Sequence, residues 1–194
     1  MLEIEAKIKL KNRETLLSRG NLHPQSLTHV LDIYYDNNGA LKSVDKVLRL
    51  RKLNDKATLT VKGPKIYDAN LLVREEFEIE ISDFDTSKKM LYTLSFAPTQ
   101  VVEKTRETFK LAGCQVKIEL DQYPFIGTYL ELEGEREAVF AIMEKLGFSR
   151  NEGITKNCTE LFYEYIRKNN INLDNPKLQF TFEDEKNTLI PAFS

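Results

Sequence analysis

Stretch after stretch of this chain alternates with a period of two, and its hydrophilic face is almost all charge. Residues 72–81, LVREEFEIEI, put Arg74, Glu76, Glu78 and Glu80 on one side and Glu75, Phe77, Ile79 and Ile81 on the other. Residues 2–10, LEIEAKIKL, set Glu3, Glu5, Lys7 and Lys9 against Leu2, Ile4, Ala6, Ile8 and Leu10. The same reading gives strands at 29–36, 46–53, 57–62, 101–109, 115–121 and 128–133. Turn signals separate several of them, at Asn37-Asn38-Gly39, Asn54-Asp55-Lys56 and Gly63-Pro64. Four helices are expected between the strands. One runs 13–19 behind an Asn12 cap, and one from Asp83–Thr86 to about Phe96, with Met90, Leu91 and Leu94 as its apolar stripe and Pro98 as its stop. The others span 135–146 and 157–168.

A charged strand face ordinarily meets solvent. Here, however, it recurs on strand after strand, while the helices need apolar surface to cover. Ile4, Leu48, Leu50, Phe77, Ile79, Leu130 and Leu132, on the opposite faces, supply that surface. A sheet curled into a barrel, with helices packed outside and the charged faces pointing into the lumen, satisfies both. A barrel of about eight strands leaves a lumen for side chains or one small ligand. Charges packed there are costly unless paired, hydrated or neutralised by a ligand. Arg and Lys from several strands suit a polyanion, with Arg gripping phosphate oxygens in pairs. The glutamates among them would repel that anion unless a divalent cation intervened, as Mg²⁺ does between carboxylates and phosphates. This combination describes a phosphoryl- or nucleotidyl-transfer site.

Other chemistries are excluded by what is missing. In 194 residues, 28 Lys and Arg face 30 Asp and Glu, for a net charge of -2, so no global basic field exists to grip duplex nucleic acid. There is no P-loop, GxGxxG or GxSxG. The two histidines, His23 and His29, form no metal motif. Cys114 and Cys158 are far apart and read as small buried hydrophobes in a reducing compartment. No signal peptide or membrane-length apolar run is present, so a cytoplasmic protein without membrane attachment is expected.

The ordered charged strands carry a resemblance. Glu3-Ile4-Glu5-Ala6-Lys7 matches the ExExK signature of the CYTH superfamily, the triphosphate tunnel metalloenzymes. LRLR at 48–51, TVKGP at 60–64, REEFEIE at 74–80, VEKTR at 102–106, LD at 120–121 and YLELE at 129–133 follow in the family's order. Lys156-Asn157-Cys158-Thr159-Glu160-Leu161 is similar to the family's K-S-Y-x-E-L-L ending, with Asn and Cys replacing Ser and Tyr. The resemblance implies an α+β fold, a closed eight-stranded antiparallel β-barrel (tunnel) with a charged interior and helices packed outside. It implies Glu3, Glu5, Glu131 and Glu133 as metal carboxylates for Mg²⁺ or Mn²⁺. It implies Lys7, Arg49, Arg51, Lys62, Arg74, Lys104, Arg106 and Lys156 as triphosphate ligands. Glu5, Glu76 and Glu78 are the candidates beside the reacting group, and Asp121 is a candidate to orient a basic neighbour. Glu80, Lys9, Lys117 and Glu119 match no motif and are expected at solvent or behind the ligands. Tyr34 and Tyr35 are expected to pack rather than to stack on a base.

ExExK and Lys62-Gly63-Pro64 look most like the class IV adenylyl cyclase branch, which converts ATP to cyclic AMP and pyrophosphate. The alternative is a triphosphatase acting on inorganic triphosphate, thiamine triphosphate or a nucleoside triphosphate. A non-catalytic module binding polyphosphate or an RNA end is a third reading, which leaves the glutamates unexplained. Residues 1–168 are expected to form the tunnel domain and 169–194 an extension. That extension carries linker-like segments and a stray strand at 178–182, LQFTF. Its open roles are capping the tunnel, pairing two chains in a homodimer, or staying mobile.

Overall fold

The computed structural model describes residues 2–171 and 179–189. The strands are β1 (Leu2–Leu10), β2 (His23–Asp36), β3 (Val47–Leu53), β4 (Lys56–Lys62), β5 (Ile66–Asp68), β6 (Leu71–Ile81), β7 (Ala97–Lys110), β8 (Lys117–Tyr123), β9 (Gly127–Glu133) and β10 (Gln179–Phe180). The helices are α1 (Arg13–Leu17), α2 (Phe84–Thr93), α3 (Arg136–Lys145), α4 (Cys158–Asn169) and α5 (Phe182–Leu189). Eight strands pair in the order β1-β9-β8-β7-β2-β3-β4-β6, and β6 returns to β1, which closes an antiparallel barrel. β6 makes the closure by dividing its length. Its first part (72–75) pairs with β1 and its second (76–81) with β4.

The alternation decides which face is which. Ala6, Ile8 and Leu10 of β1, Ile118 and Leu120 of β8, and Leu130 and Leu132 of β9 point outward. They are buried beneath Leu16 of α1 and Val139, Phe140, Ile142, Met143 and Leu146 of α3. Each such Leu or Ile removed from water contributes about 1.5–3 kcal/mol. A second outer cluster sets Leu91 of α2 over Leu48 and Leu50, with Leu59 and Ile81 partly buried around it. Side chains start the helices. Asn12 accepts from Thr15 N at 3.0 Å, Asp83 from Thr86 N at 2.6 Å, and Asn157 forms a reciprocal capping box with Glu160. Asn54, at φ 51°, takes the left-handed residue that the β3–β4 turn requires.

Several sequence expectations need correction. Phe77 and Ile79 do face outward, but among the described residues no helix covers them, and they stay 57% and 61% exposed. Of the α2 stripe only Leu91 is buried. Met90 and Leu94 face solvent, because the covered face of so short a helix is Phe84, Ser87, Lys88 and Leu91. α2 stops at Thr93, and Pro98 lies inside β7, opposite Tyr35 at a register shift, where its missing N–H is tolerated. β2 begins at His23, six residues before the expected strand, and β5 was not foreseen. The stray strand is only Gln179–Phe180, and α5 starts at Phe182. Residue 178, 172–177 of the expected linker, and 190–194 lie outside the described residues. Among the described residues no helix is long and apolar enough to cross a membrane.

Candidate triphosphate tunnel

The inward faces enclose a cavity of about 1250 Å³. Lys7, Arg49, Arg51, Arg74, Lys104 and Arg106 are each less than a tenth exposed, and so are Asp32, Glu119, Asp121 and Glu131. Every one of these ions has a partner, as burial demands.

On the β7–β8–β9 wall, Asp121 is fully buried and takes two hydrogen bonds from Arg106, at 2.6 Å each, and one from Lys104 Nζ at 2.5 Å. Arg106 also reaches Glu131 at 2.7 Å and Glu119 at 2.5 Å. Burial alone would lower the Arg106 pKa, but Asp121, Glu119 and Glu131 raise it well above its usual value. Burial, then the Arg106 charge, lowers the Lys104 pKa in spite of Asp121. Tyr123 completes this wall. Its hydroxyl lies 3.2 Å from Lys104 Nζ and donates to Asp121 Oδ2 at 3.1 Å and Glu131 Oε1 at 3.4 Å.

On β1, Lys7 bridges Glu5 at 3.1 Å and Glu131 at 3.2 Å. Burial would raise the Glu131 carboxyl, but Lys7, Lys104 and Arg106 hold it well below the carboxylate range. Across β1–β9, Glu5 stands directly opposite Glu133.

On the β3–β4–β6 wall, Arg49 donates to Thr60 at 3.1 Å and Glu78 at 3.3 Å, and lies 3.5 Å from Glu76. Lys62 sits between Glu3, at 2.7 Å, and Glu76, at 2.8 Å. Glu3 and Glu76 also hydrogen-bond to each other. Burial and the hydrogen bond to Glu76 push the Glu3 carboxyl up to about 8. Glu76, whose burial is outweighed by that hydrogen bond and by Lys62 and Arg49, falls to about 2. Arg74 is held by backbone oxygens instead, those of Gly63 at 2.8 Å from Nε and Asp45 at 3.0 Å from Nη2.

One end of the lumen is apolar. Inward-facing Val102, Tyr123 and Tyr129 pack with Cys158 and Phe162 of α4, and Asn157, Thr159 and Tyr163 also line the cavity.

The CYTH domain family matches residues 1–157. The chain belongs to the CYTH family. Among solved structures, the CYTH chain is similar to the PH1819 protein of Pyrococcus horikoshii OT3. The identity is 28% and the TM-score 0.68, over 84% of this chain and 98% of that one. A candidate adenylate cyclase from Vibrio parahaemolyticus aligns at 20% identity and TM-score 0.72, over 84% of this chain and 98% of that one. A candidate adenylyl cyclase from Hippeastrum, with a dominant triphosphatase activity, aligns at 18% and TM-score 0.64, over 89% and 98%. At these identities the last two speak for the shared fold alone. No curated protein matches the sequence.

The CYTH tunnel gathers Glu3, Glu5, Lys7, Arg49, Arg51, Lys62, Arg74, Glu76, Glu78, Lys104, Arg106, Glu131 and Glu133 around one cavity. Lys156 lies apart from them. It is half-exposed, bonds Glu164 at 2.6 Å and does not line the lumen. Glu119, expected at solvent or behind the ligands, is only 5% exposed and grips Arg106. Its place on the face shared with Asp121 was the available signal. Asp32, Thr60 and Tyr123 were passed over. Asp32 was legible as an acid in the middle of the largely apolar strand HVLDIYYD. Tyr34 faces the lumen beside Cys158, at 3.9 Å, while Tyr35 packs outward.

The donor set fits a hard divalent cation. Glu5 faces Glu133, and like charges directly opposite on a sheet repel. Glu3 and Glu76 crowd together on Lys62 Nζ, at 2.7 and 2.8 Å. All these donors are carboxylate oxygens, which suit Mg²⁺ or Mn²⁺. As the side chains stand, no three acidic, His or Cys groups converge on one point among the described residues.

Proposed function

We propose that this protein is a divalent-metal-dependent enzyme acting on a triphosphate held in the tunnel, with ATP to cyclic AMP and pyrophosphate as the leading reaction. One observation carries the reading: seven cations from five strands, Lys7, Arg49, Arg51, Lys62, Arg74, Lys104 and Arg106, line one lumen alongside acids. Such a constellation surrounds a chain of phosphates from all sides. The cavity of about 1250 Å³ exceeds what a bare triphosphate fills, which favours a substrate with a nucleoside attached.

Without ligand, the acids act as internal counter-ions. On binding, phosphate oxygens replace them at Arg49, Lys62, Lys7 and Arg106. Glu3, Glu5 and Glu131, released in this way, together with Glu133, which pairs with Lys117, would be the residues to hold Mg²⁺ or Mn²⁺. The cation supplies charge neutralisation at the phosphates. Asp32 and Asp121 remain paired, and keep Arg51, Lys104 and Arg106 aimed into the lumen. Glu5, Glu76 and Glu78, which line the lumen beside the cations, are the groups assigned to the nucleophile's proton. With the ribose 3'-hydroxyl as nucleophile, the new bond forms to the α-phosphorus and pyrophosphate leaves. With water as nucleophile the same grip gives hydrolysis.

The test is product analysis with ATP and with inorganic triphosphate, each in Mg²⁺, Mn²⁺ or EDTA. Cyclic AMP plus pyrophosphate is the expected result. Orthophosphate from inorganic triphosphate, with ATP left intact, assigns the triphosphatase reaction instead. No metal-dependent product from either removes both.

A further inference from the structure

β8 ends at Tyr123, and its pairing with β7 covers only Thr105–Phe109. The adjoining edge of β7 would be bare, and bare edges are liabilities. β10 fills that edge. It runs parallel to β7, with Gln179 opposite Val101 and Phe180 opposite Val102. Val102 faces inward with Lys104 and Arg106, so Phe180 faces inward too. It is fully buried, with its ring 4.0 Å from that of Phe162 and stacked on Tyr123 at 6.1 Å and 11°. Two further bonds fasten the segment: Phe182 N donates to Glu103 at 2.8 Å, and Phe125 N donates to Glu185 of α5 at 2.6 Å.

We propose that β10–α5, which lies beyond the family-matched residues 1–157, is part of the tunnel wall, and that Phe180 is a positioning residue acting on the triphosphate site through Tyr123. The Tyr123 ring lies between Phe180 and the cationic wall. Its face is 5.2 Å from Lys104 Nζ, and its hydroxyl joins Lys104, Asp121 and Glu131. Stacking by Phe180 fixes the ring plane, and the ring plane fixes where that hydroxyl holds Lys104. Among the described residues Tyr123 has no other parallel ring neighbour, since Tyr129 meets it edge-on at 75°. This inference rests on the triphosphate reading of the tunnel.

The experiment is a double-mutant cycle on the full chain: wild type, Phe180→Ala, Tyr123→Phe and the double variant. Binding of inorganic triphosphate with Mg²⁺ is read by calorimetry, and folding by thermal melting. Tyr123→Phe keeps the ring and removes the hydroxyl. We expect Phe180→Ala to weaken binding about 5-fold in the wild-type background and less than about 2-fold in the Tyr123→Phe background, the range of coupled neighbours. Equal factors in both backgrounds would reduce Phe180 to a core residue and overturn the inference, leaving the triphosphate reading intact. A wild type that binds no triphosphate overturns that reading as well. If Phe180→Ala does not fold, Phe180→Leu, which keeps apolar volume but not the flat ring, is run through the same cycle with the same criterion.

Discussion

Asp32 and Arg51 stand directly opposite each other on β2 and β3, joined by hydrogen bonds of 2.6 and 2.8 Å, with Asp32 only 2% exposed. A buried pair of this kind contributes little against an apolar replacement, but losing one member strands the other. Asp32→Ala should therefore destabilise the protein by roughly 3–5 kcal/mol, read from urea unfolding. A loss under about 1 kcal/mol would mean that Arg51 finds another partner.

The same pair sets acid stability. Burial would raise the Asp32 carboxyl, but Arg51, with Arg49 and Lys104, holds it well below its ordinary 3.8. A lowered carboxyl stabilises the fold fully above the unfolded value, and this stability is lost as pH falls through the folded one. The urea midpoint of the wild type should thus drop steeply below about pH 4, and that of Asp32→Asn less steeply. Parallel acid limbs would remove Asp32 as a contributor.

Glu3 has the opposite sign. Its carboxyl is raised from 4.5 to about 8 by burial and by Glu76, so its stabilisation is complete below 4.5 and fades as pH rises through 8. In EDTA, Glu3→Gln should flatten the decline in stability between those two values. Product formation should be abolished by Glu3→Gln and Glu5→Gln, while triphosphate binding in EDTA is kept or improved. Loss of binding in EDTA would argue that these acids hold the tunnel open rather than a cation.

Arg106 and Lys156 separate position from motif. Arg106→Ala removes a buried donor that bonds Asp121, Glu119 and Glu131, and should weaken triphosphate binding about 10- to 100-fold, as charged hydrogen bonds do. Lys156→Ala should leave binding within about 2-fold, because a surface pair with Glu164 contributes little. A large effect at Lys156 would place it at the substrate.

Leu130 and Ile79 both point out of the barrel, one fully buried and the other 61% exposed. Leu130→Ala should cost about 2–5 kcal/mol and Ile79→Thr less than about 0.5 kcal/mol, measured side by side in urea. A costly Ile79→Thr would reveal that something covers that face in solution.

The strands and the tunnel were legible because charge and apolarity alternate so strictly in β1, β3, β6 and β9. The cations could be read from the same alternation. Their acid partners were harder, since pairing across the sheet depends on register. Glu119 reads as an acid either at solvent or behind the ligands, and the β7–β8 register, with Thr108 opposite it and Arg106 within reach, decides for the second. Asp32 needed the β2–β3 register to meet Arg51. The uncovered Phe77 and Ile79 could not be foreseen, because periodicity gives a strand's faces but not which helix reaches them. Lys156 had a motif neighbour yet turned outward, just ahead of the Asn157 cap of α4, whose own face decides what enters the lumen. LQFTF at 178–182 reads as a stray strand that includes Phe180, but so short a segment does not show which edge it joins or which face it buries.

The wall supplied by β10 bears on how this protein should be cut for study. A fragment trimmed to the family boundary would lack α4 and β10 together. It would leave the Val101–Val102 edge unpaired and would present Val102, Tyr129 and Phe125 to water at an open rim. Such a piece is a cylinder with a sticky lip, suited to strand exchange with its own copies. Precipitation of that piece would report on the missing stopper rather than on the instability of the barrel.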